Sequence, residues 1–207
     1  MKKTLVLLSV ILIIVSLTGC GGIKLAEGQE MYILNSDGTM DWQGLLEGGE
    51  FAQGMGFDYD DDEKVIINTV NEYLNKNSIS GEVKNVKKVK GYVLIDVRFI
   101  SPGDIMAYDM TMTLEKFAND YYGGMTAMAD QEIFYLYKNA SRVSSNDLIK
   151  YAGHKFLTVF DSSGKGSYFK VPGKIMIVHS ESEYKKVNND TIFIEGDGYG
   201  AVVYKEN

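Results

Sequence analysis

Apolar and polar residues alternate with a period of two over residues 92–99, placing Val93, Ile95, Val97 and Phe99 on one side, and alternate again over 106–114. A period of two is the signature of a strand with one buried face. Ser101-Pro102-Gly103-Asp104 lies between the runs and predicts a turn. Closing it pairs Val93 with Met112, Ile95 with Met110, Val97 with Tyr108 and Phe99 with Met106, all of them apolar. An earlier hairpin is predicted from residues 31–35 and 40–43, because Asp37-Gly38 between apolar runs tolerates positive φ, and this register sets Ile33 opposite Trp42. Gly44, Gly48, Gly49, Gly54 and Gly56 then predict a long loop.

The period changes after that loop. Ile66, Val70, Tyr73 and Leu74 form one helical stripe, and Asp60 with Glu63 fits a capping box, so the main helix is expected at about residues 60–77. Residues 118–128 are ambiguous, 133–137 read as a short strand, and Ser144 to Asp147 caps a short helix reaching Ala152. Strands are expected at 155–160, 167–171, 174–179, 191–195 and 201–204, with turns at 161–166 and 196–200. The pattern therefore predicts an α+β fold, a mostly antiparallel sheet with one main helix and a β-rich C-terminal part. A sub-boundary near 142–146 and a single interleaved domain over 30–207 are equally consistent with it.

The first residues follow different rules. Lys2 and Lys3 precede an apolar run over 5–15, broken only by Ser9, and Leu17-Thr18-Gly19-Cys20 ends on the chain's single cysteine. Even extended to Leu17 the run is thirteen residues, short of the roughly 20 that span a bilayer. An ordinary export signal would favour an Ala-x-Ala-like site, which this segment lacks. The pattern resembles the lipobox of bacterial lipoproteins. That resemblance implies cleavage before Cys20, a diacylglyceryl group on its sulfur, palmitate-type acylation, and a location on the extracytoplasmic side of the cell membrane. Residues 1–19 are then the signal peptide and 20–29, opening on Gly21 and Gly22, a flexible tether.

Composition narrows the partners. The chain has 207 residues and a net charge of −7, which becomes more negative once Lys2 and Lys3 are removed. An acidic surface repels nucleic acid and anionic headgroups, so membrane attachment falls to the lipid anchor and nucleic acid is excluded as an electrostatic partner. One cysteine permits no internal disulfide, and packing must supply the stability.

Both ends of the mature chain resemble the LppM-type lipoprotein domain family. The matching residues are Leu34-Asn35-Ser36-Asp37-Gly38-Thr39, Val171-Pro172-Gly173-Lys174-Ile175 and Asn188-Asn189-Asp190-Thr191-Ile192. The resemblance implies an anchored, mostly β envelope domain with a hydrophobic ligand, and it brings no catalytic residues.

Candidate chemistry is sparse. Asp58, Asp60 and Asp62 imitate a calcium loop, but Glu63 replaces the required glycine and Thr69 the bidentate glutamate, so these carboxylates are read as complementing a helix N-terminus. Asp96 and Asp109 are expected to face each other across the 92–114 hairpin with Arg98 diagonal to them, either as an acid/base pair or as a solvated sheet face. His154 and His179 lack companions at metal spacing, and Gly164-Lys165-Gly166-Ser167 joins two strands where a P-loop would feed a helix. Met106, Met110, Met112, Met125 and Met128 admit copper(I), an ordinary core, or an adaptable apolar face. The expected function is a non-catalytic, lipid-anchored envelope protein binding a partner or an apolar ligand through Met106, Tyr108, Met110 and Met112, with no cofactor. The alternative is an envelope hydrolase using Asp96 and Asp109.

Overall fold

A computed structural model describes residues 23–101, 112–161, 163–180, 183–196 and 198–207. Strands β1 (Glu30–Leu34) and β2 (Met40–Glu47) pair antiparallel as expected, but Tyr32, not Ile33, faces Trp42. The loop sets this register: Asn35 N donates to Thr39 O at 2.9 Å, Gly38 takes φ 84°, and Asp37 accepts from both the amide and the hydroxyl of Thr39. Five residues lie between the paired ends, one more than the expected register allows, so every cross-strand partner shifts by one.

The expected loop over residues 44–56 is instead the end of β2 followed by helix α1 (Gly48–Met55). Glu47 caps the helix by accepting from Glu50 N at 2.6 Å, and Gly56 ends it at φ 82°. Gly48 serves a close contact, since a Cβ there would lie 2.3 Å from the Tyr59 ring. Helix α2 (Glu63–Lys76) forms where predicted and buries Ile66, Val70 and Leu74. Tyr73 stays 42% exposed, and the Asp60 capping box does not form: Asp58 accepts from Asp60 N, and Asp62 occupies the cap position without a side-chain bond.

Strands β3 (Gly81–Val89) and β4 (Tyr92–Phe99) form a hairpin through Lys90 and Gly91, both at positive φ. Val93, Ile95, Val97 and Phe99 are buried as their alternation requires. Their partners differ from the expected ones. One edge of β4 is taken by β2, with Ile95 opposite Gly44, and the other by β3, with Ile95 opposite Val86. Both edges of β4 are thus occupied, and residues 106–111 lie outside the described residues. The alternation identified a buried face but not the neighbouring strands, which are β3 through the two-residue Lys90-Gly91 turn and β2 from earlier in the chain.

Helices α3 (Leu114–Tyr122) and α4 (Met125–Gln131) occupy the ambiguous stretch, followed by the two-residue strand β5 (Tyr135–Leu136). Helix α5 (Ser145–Leu148), continued by a 3-10 turn over Ile149–Tyr151, is capped by Ser144 accepting from Asp147 N. Strands β6 (Lys155–Phe160), β7 (Ser167–Lys170), β8 (Gly173–Ser180), β10 (Thr191–Ile194) and β11 (Tyr199–Glu206) match the sequence pattern. β9 (Tyr184–Lys186) was not foreseen; it is a short edge strand.

The described strands form two sheets, ordered β3-β4-β2-β1-β7-β10-β9 and β5-β8-β11-β6, antiparallel except for the pair β1 and β7. Strands from both sides of residues 142–146 thus share the seven-stranded sheet, an interleaved α+β architecture. Among the described strands the chain changes sheet between β4 and β5, β6 and β7, β7 and β8, β8 and β9, and β10 and β11. One core lies between the sheets and under α2, including Phe169, Val97, Val202 and Tyr204. A second lies between the four-stranded sheet and helices α3 to α5, built on Phe156, Ile177, Val203, Leu114 and Met128. A third, smaller cluster packs Ile23 and Leu25 against Met31, Ile33, Leu45, Leu94 and Tyr168. Residues 23–29, expected within the tether, are fixed to the sheet: Leu25 is buried, and Gly28 N donates to Leu45 O at 2.8 Å.

Candidate functional site

The helical layer over the four-stranded sheet has gaps because its helices are short. Gly123 at φ 79° and Gly124 at φ 133° break α3 from α4, and the chain returns under them through β5. Between α4, the segments flanking β5, and α5 lies a cavity of about 360 Å³, lined by Ala129, Glu132, Phe134, Arg142, Val143, Ser144, Ser145 and Leu148. Its volume falls in the range of small-molecule sites. Phe134, Val143 and Leu148 belong to the second core, so the floor is apolar and anchored.

The polar groups around it divide into engaged and unengaged. Glu132 Oε1 accepts from Tyr122 OH at 2.7 Å, and its Oε2 lies 3.3 Å from His179 Nε2. His179 Nδ1 is 3.0 Å from Ile133 O, and a carbonyl only accepts, so Nδ1 is the donor there and Nε2 faces the carboxylate. Protonation of His179 makes that contact an ion pair. The ring is also fixed by Phe134, 5.6 Å away between centroids. Ser144 Oγ is held by Asp147 at 2.6 Å. Arg142 is exposed and makes no ion pair among the described residues.

The sequence-derived candidates distribute unevenly. Cys20, Met106, Tyr108, Asp109 and Met110 lie outside the described residues. Met112 is described: its carbonyl accepts from Phe156 N at 3.0 Å, and its side chain packs on the cluster that floors the cavity. Met125 packs there too, and Met128 is fully buried, as an ordinary core reading requires. His154 stacks edge-on with Tyr151, and its carbonyl accepts from Leu114 N. Among the described residues no group of three or more His, Cys, Asp or Glu is placed to hold a metal ion.

Asp96 sits on the outer face of the seven-stranded sheet, opposite Gln43 on one side and Asn85 on the other. Those two residues occupy the ladder positions in which Asp109 was expected. Arg98 is committed to Asp41 through two bonds, Nε to Oδ1 at 2.6 Å and Nη2 to Oδ2 at 2.8 Å, which hold the Asp41 carboxyl below its ordinary range. Asp96 is in the opposite situation. Burial pushes its carboxyl above the ordinary 3.8, partly offset by Asn85 and Gln43, and its Oδ1 is buried without a hydrogen-bond partner. A raised carboxyl binds its proton more tightly folded than unfolded, so its ionisation costs stability as pH rises from about 3.8 through the raised value. Asp96→Asn is therefore expected to match or exceed the parent by up to about 1 kcal/mol at pH 7, with the gain vanishing at low pH. Urea melts at several pH values check this, and a loss of stability at pH 7 would contradict it.

A second, larger cavity of about 610 Å³ opens where residues 27–30 cross β2 and is lined by Glu27, Glu30, Glu47, Glu50, Phe51, Tyr92 and Lys165 among others. Its carboxylates are largely engaged: Glu27 accepts from Tyr92 OH at 2.7 Å, Glu30 from Tyr32 and Trp42, and Glu47 from the α1 backbone.

Sequence reasoning missed Tyr122, Glu132, Arg142 and their grouping. They are scattered along the chain, with His179 in another sheet strand, and no local spacing marks them. The only local sign was the pair of arginines in a lysine-rich chain, Arg98 and Arg142, one held in a two-point carboxylate contact and the other left at the cavity. No protein-family model, curated protein or solved structure matches this chain.

Proposed function

We propose that this protein is a membrane-anchored bacterial envelope lipoprotein, held by a lipid on Cys20 at the extracytoplasmic face, whose α+β domain binds an apolar ligand or an envelope partner without catalysing a reaction. The observation that carries the reading is Leu17-Thr18-Gly19-Cys20, a lipobox-like segment closing on the single cysteine of the chain. The LppM-type resemblance of the two ends points the same way. The cavity over the four-stranded sheet, with its floor of Phe134, Val143 and Leu148, supports ligand binding over chemistry. For the hydrolase alternative, Asp96 faces Gln43 and Asn85 across its ladders.

Anchoring at Cys20 has a geometric consequence. Ile23 already packs against the sheet, so two residues, Gly21 and Gly22, separate Cys20 from the folded domain, a reach of about 10 Å over three Cα–Cα steps. The domain is then held against the membrane surface, and its acidic character keeps it from binding anionic headgroups directly. Two acyl chains are needed for stable anchoring, at about 0.8 kcal/mol per buried CH₂.

Cys20→Ala is expected to abolish incorporation of a labelled fatty acid in a bacterial host, because no other thiol exists, and to leave the chain unprocessed or released from the membrane fraction. Label retained on the variant would end the lipoprotein reading.

A further inference from the structure

We infer that the cavity between α4 and α5 is a site for a small monocarboxylate with an apolar body, its carboxylate held by Arg142 and Ser145 and its body lying on Phe134, Val143, Leu148 and Ala129. The inference rests on the reading of this domain as a ligand-binding one, and it is independent of the lipid anchor.

The charges around the cavity select the ligand's sign. Glu132 is the one carboxylate among the described lining residues; its Oε1 accepts from Tyr122 OH and its Oε2 lies 3.3 Å from His179 Nε2. Among the described lining residues Arg142 is the one cation, and it makes no ion pair with any described residue, whereas Arg98 is committed to Asp41. A guanidinium presents a planar fork of N–H donors that fits a carboxylate in two-point fashion. The Ser145 hydroxyl adds a neutral donor at the same wall, while Ser144 is occupied by Asp147.

The rest of the lining selects the ligand's body. Phe134, Val143 and Leu148 are buried members of the second core, so the floor is fixed, and apolar surface delivered to it gains about 25 cal/mol per Å² removed from water. A cavity of about 360 Å³ takes a short acyl chain or one aromatic ring. A carboxylate of this kind has two sources, a fatty acid or an N-acylated amino acid, and the head-group chemistry is common to both.

The test uses the full-length chain in phosphatidylcholine nanodiscs, with empty nanodiscs subtracted, and titrates four probes by calorimetry: hexanoate, hexanamide, N-acetylphenylalanine and its amide. At least one carboxylate is expected to bind about tenfold to a hundredfold tighter than its amide, the range for a hydrogen bond to a charged group. Which carboxylate binds distinguishes the acyl source from the amino-acid source. Arg142→Gln is expected to erase that preference and leave amide binding unchanged, Arg142→Lys to retain part of it, and added salt to weaken only the carboxylates. Because the Arg142 side chain is exposed, its replacement leaves folding intact, which a thermal melt verifies. Amides binding as tightly as acids, with no effect of Arg142→Gln, would overturn the inference while keeping the cavity as a binding site. Binding by none of the four probes would overturn both.

Discussion

Phe169→Ala is expected to remove about 3–5 kcal/mol of stability, the usual cost of deleting a buried aromatic ring, against a total of about 5–15 kcal/mol for a domain. Phe169 is fully buried in β7 and stacks on Tyr32 of β1, with centroids 5.0 Å apart and planes within 6°. Those two strands are the parallel pair that joins the N-terminal strands β1 to β4 to the C-terminal strands β7, β9 and β10. A hole there undermines the one seam between two sets of antiparallel neighbours, and Phe193 cannot fill it, because its ring packs on Tyr168, the neighbour that points to the other face of β7. Urea denaturation of the variant should show a large drop in midpoint. A midpoint equal to that of the parent would mean that the seam does not carry the fold.

Asp161→Ala is expected to cost about 2–5 kcal/mol, through unsatisfied donors and not through lost volume. Asp161 is 3% exposed and accepts from Ser163 N, Ser163 Oγ, Gly166 N and Ser167 Oγ at 2.7–3.1 Å. It thereby shapes the crossing from β6 to β7, where the chain passes from one sheet to the other. Gly166 takes φ 88° within it, and a Cβ there would lie 2.2 Å from the Phe193 ring. Alanine leaves the Gly166 amide and the Ser167 hydroxyl buried without an acceptor. The pH dependence has a definite sign. Burial alone would raise this carboxyl, but the bonds from Ser163, Ser167 and Gly166 outweigh it and hold the folded value below 3.8. The unfolded chain therefore takes up the proton first. The stabilisation is present above about 3.8 and is lost as pH falls from there through the lowered folded value. Asp161→Asn should be less stable at neutral pH and should lack this acid limb. An acid limb of equal size in the variant would show that other carboxylates produce it.

What was legible in the sequence followed from short-range rules. The buried stripe of α2, the Asp37-Gly38 turn, the Ser144 cap and the strands β6, β7, β8, β10 and β11 each rest on contacts within a few residues. Misreadings occurred where a residue answers to something distant. Gly44 and Gly48 looked like loop punctuation, yet a Cβ on them would strike Trp42 and Tyr59 respectively. Tyr73 lies on the predicted helical stripe but remains outside the core that Leu74 enters. The candidate cavity was the least legible feature, because it draws on α4, the segments flanking β5, and α5, and its charge pattern exists only once Glu132 has met Tyr122 and His179.

The sequence by itself determined the α+β class, which strand faces are buried and the lipobox-like start ending at Cys20, since periodicity and local spacing are properties of the chain alone. Tertiary structure alone decided the partners. Val93, Ile95, Val97 and Phe99 announce a buried face equally well beside any neighbour, and in the fold β4 pairs with β3 through the short Lys90-Gly91 turn and with β2 from much earlier in the chain. In the same way β1 meets β7 across more than a hundred residues, a pairing no local pattern encodes. Strand pairing is a competition among free energies of the whole chain, whereas burial is read out by each residue where it stands.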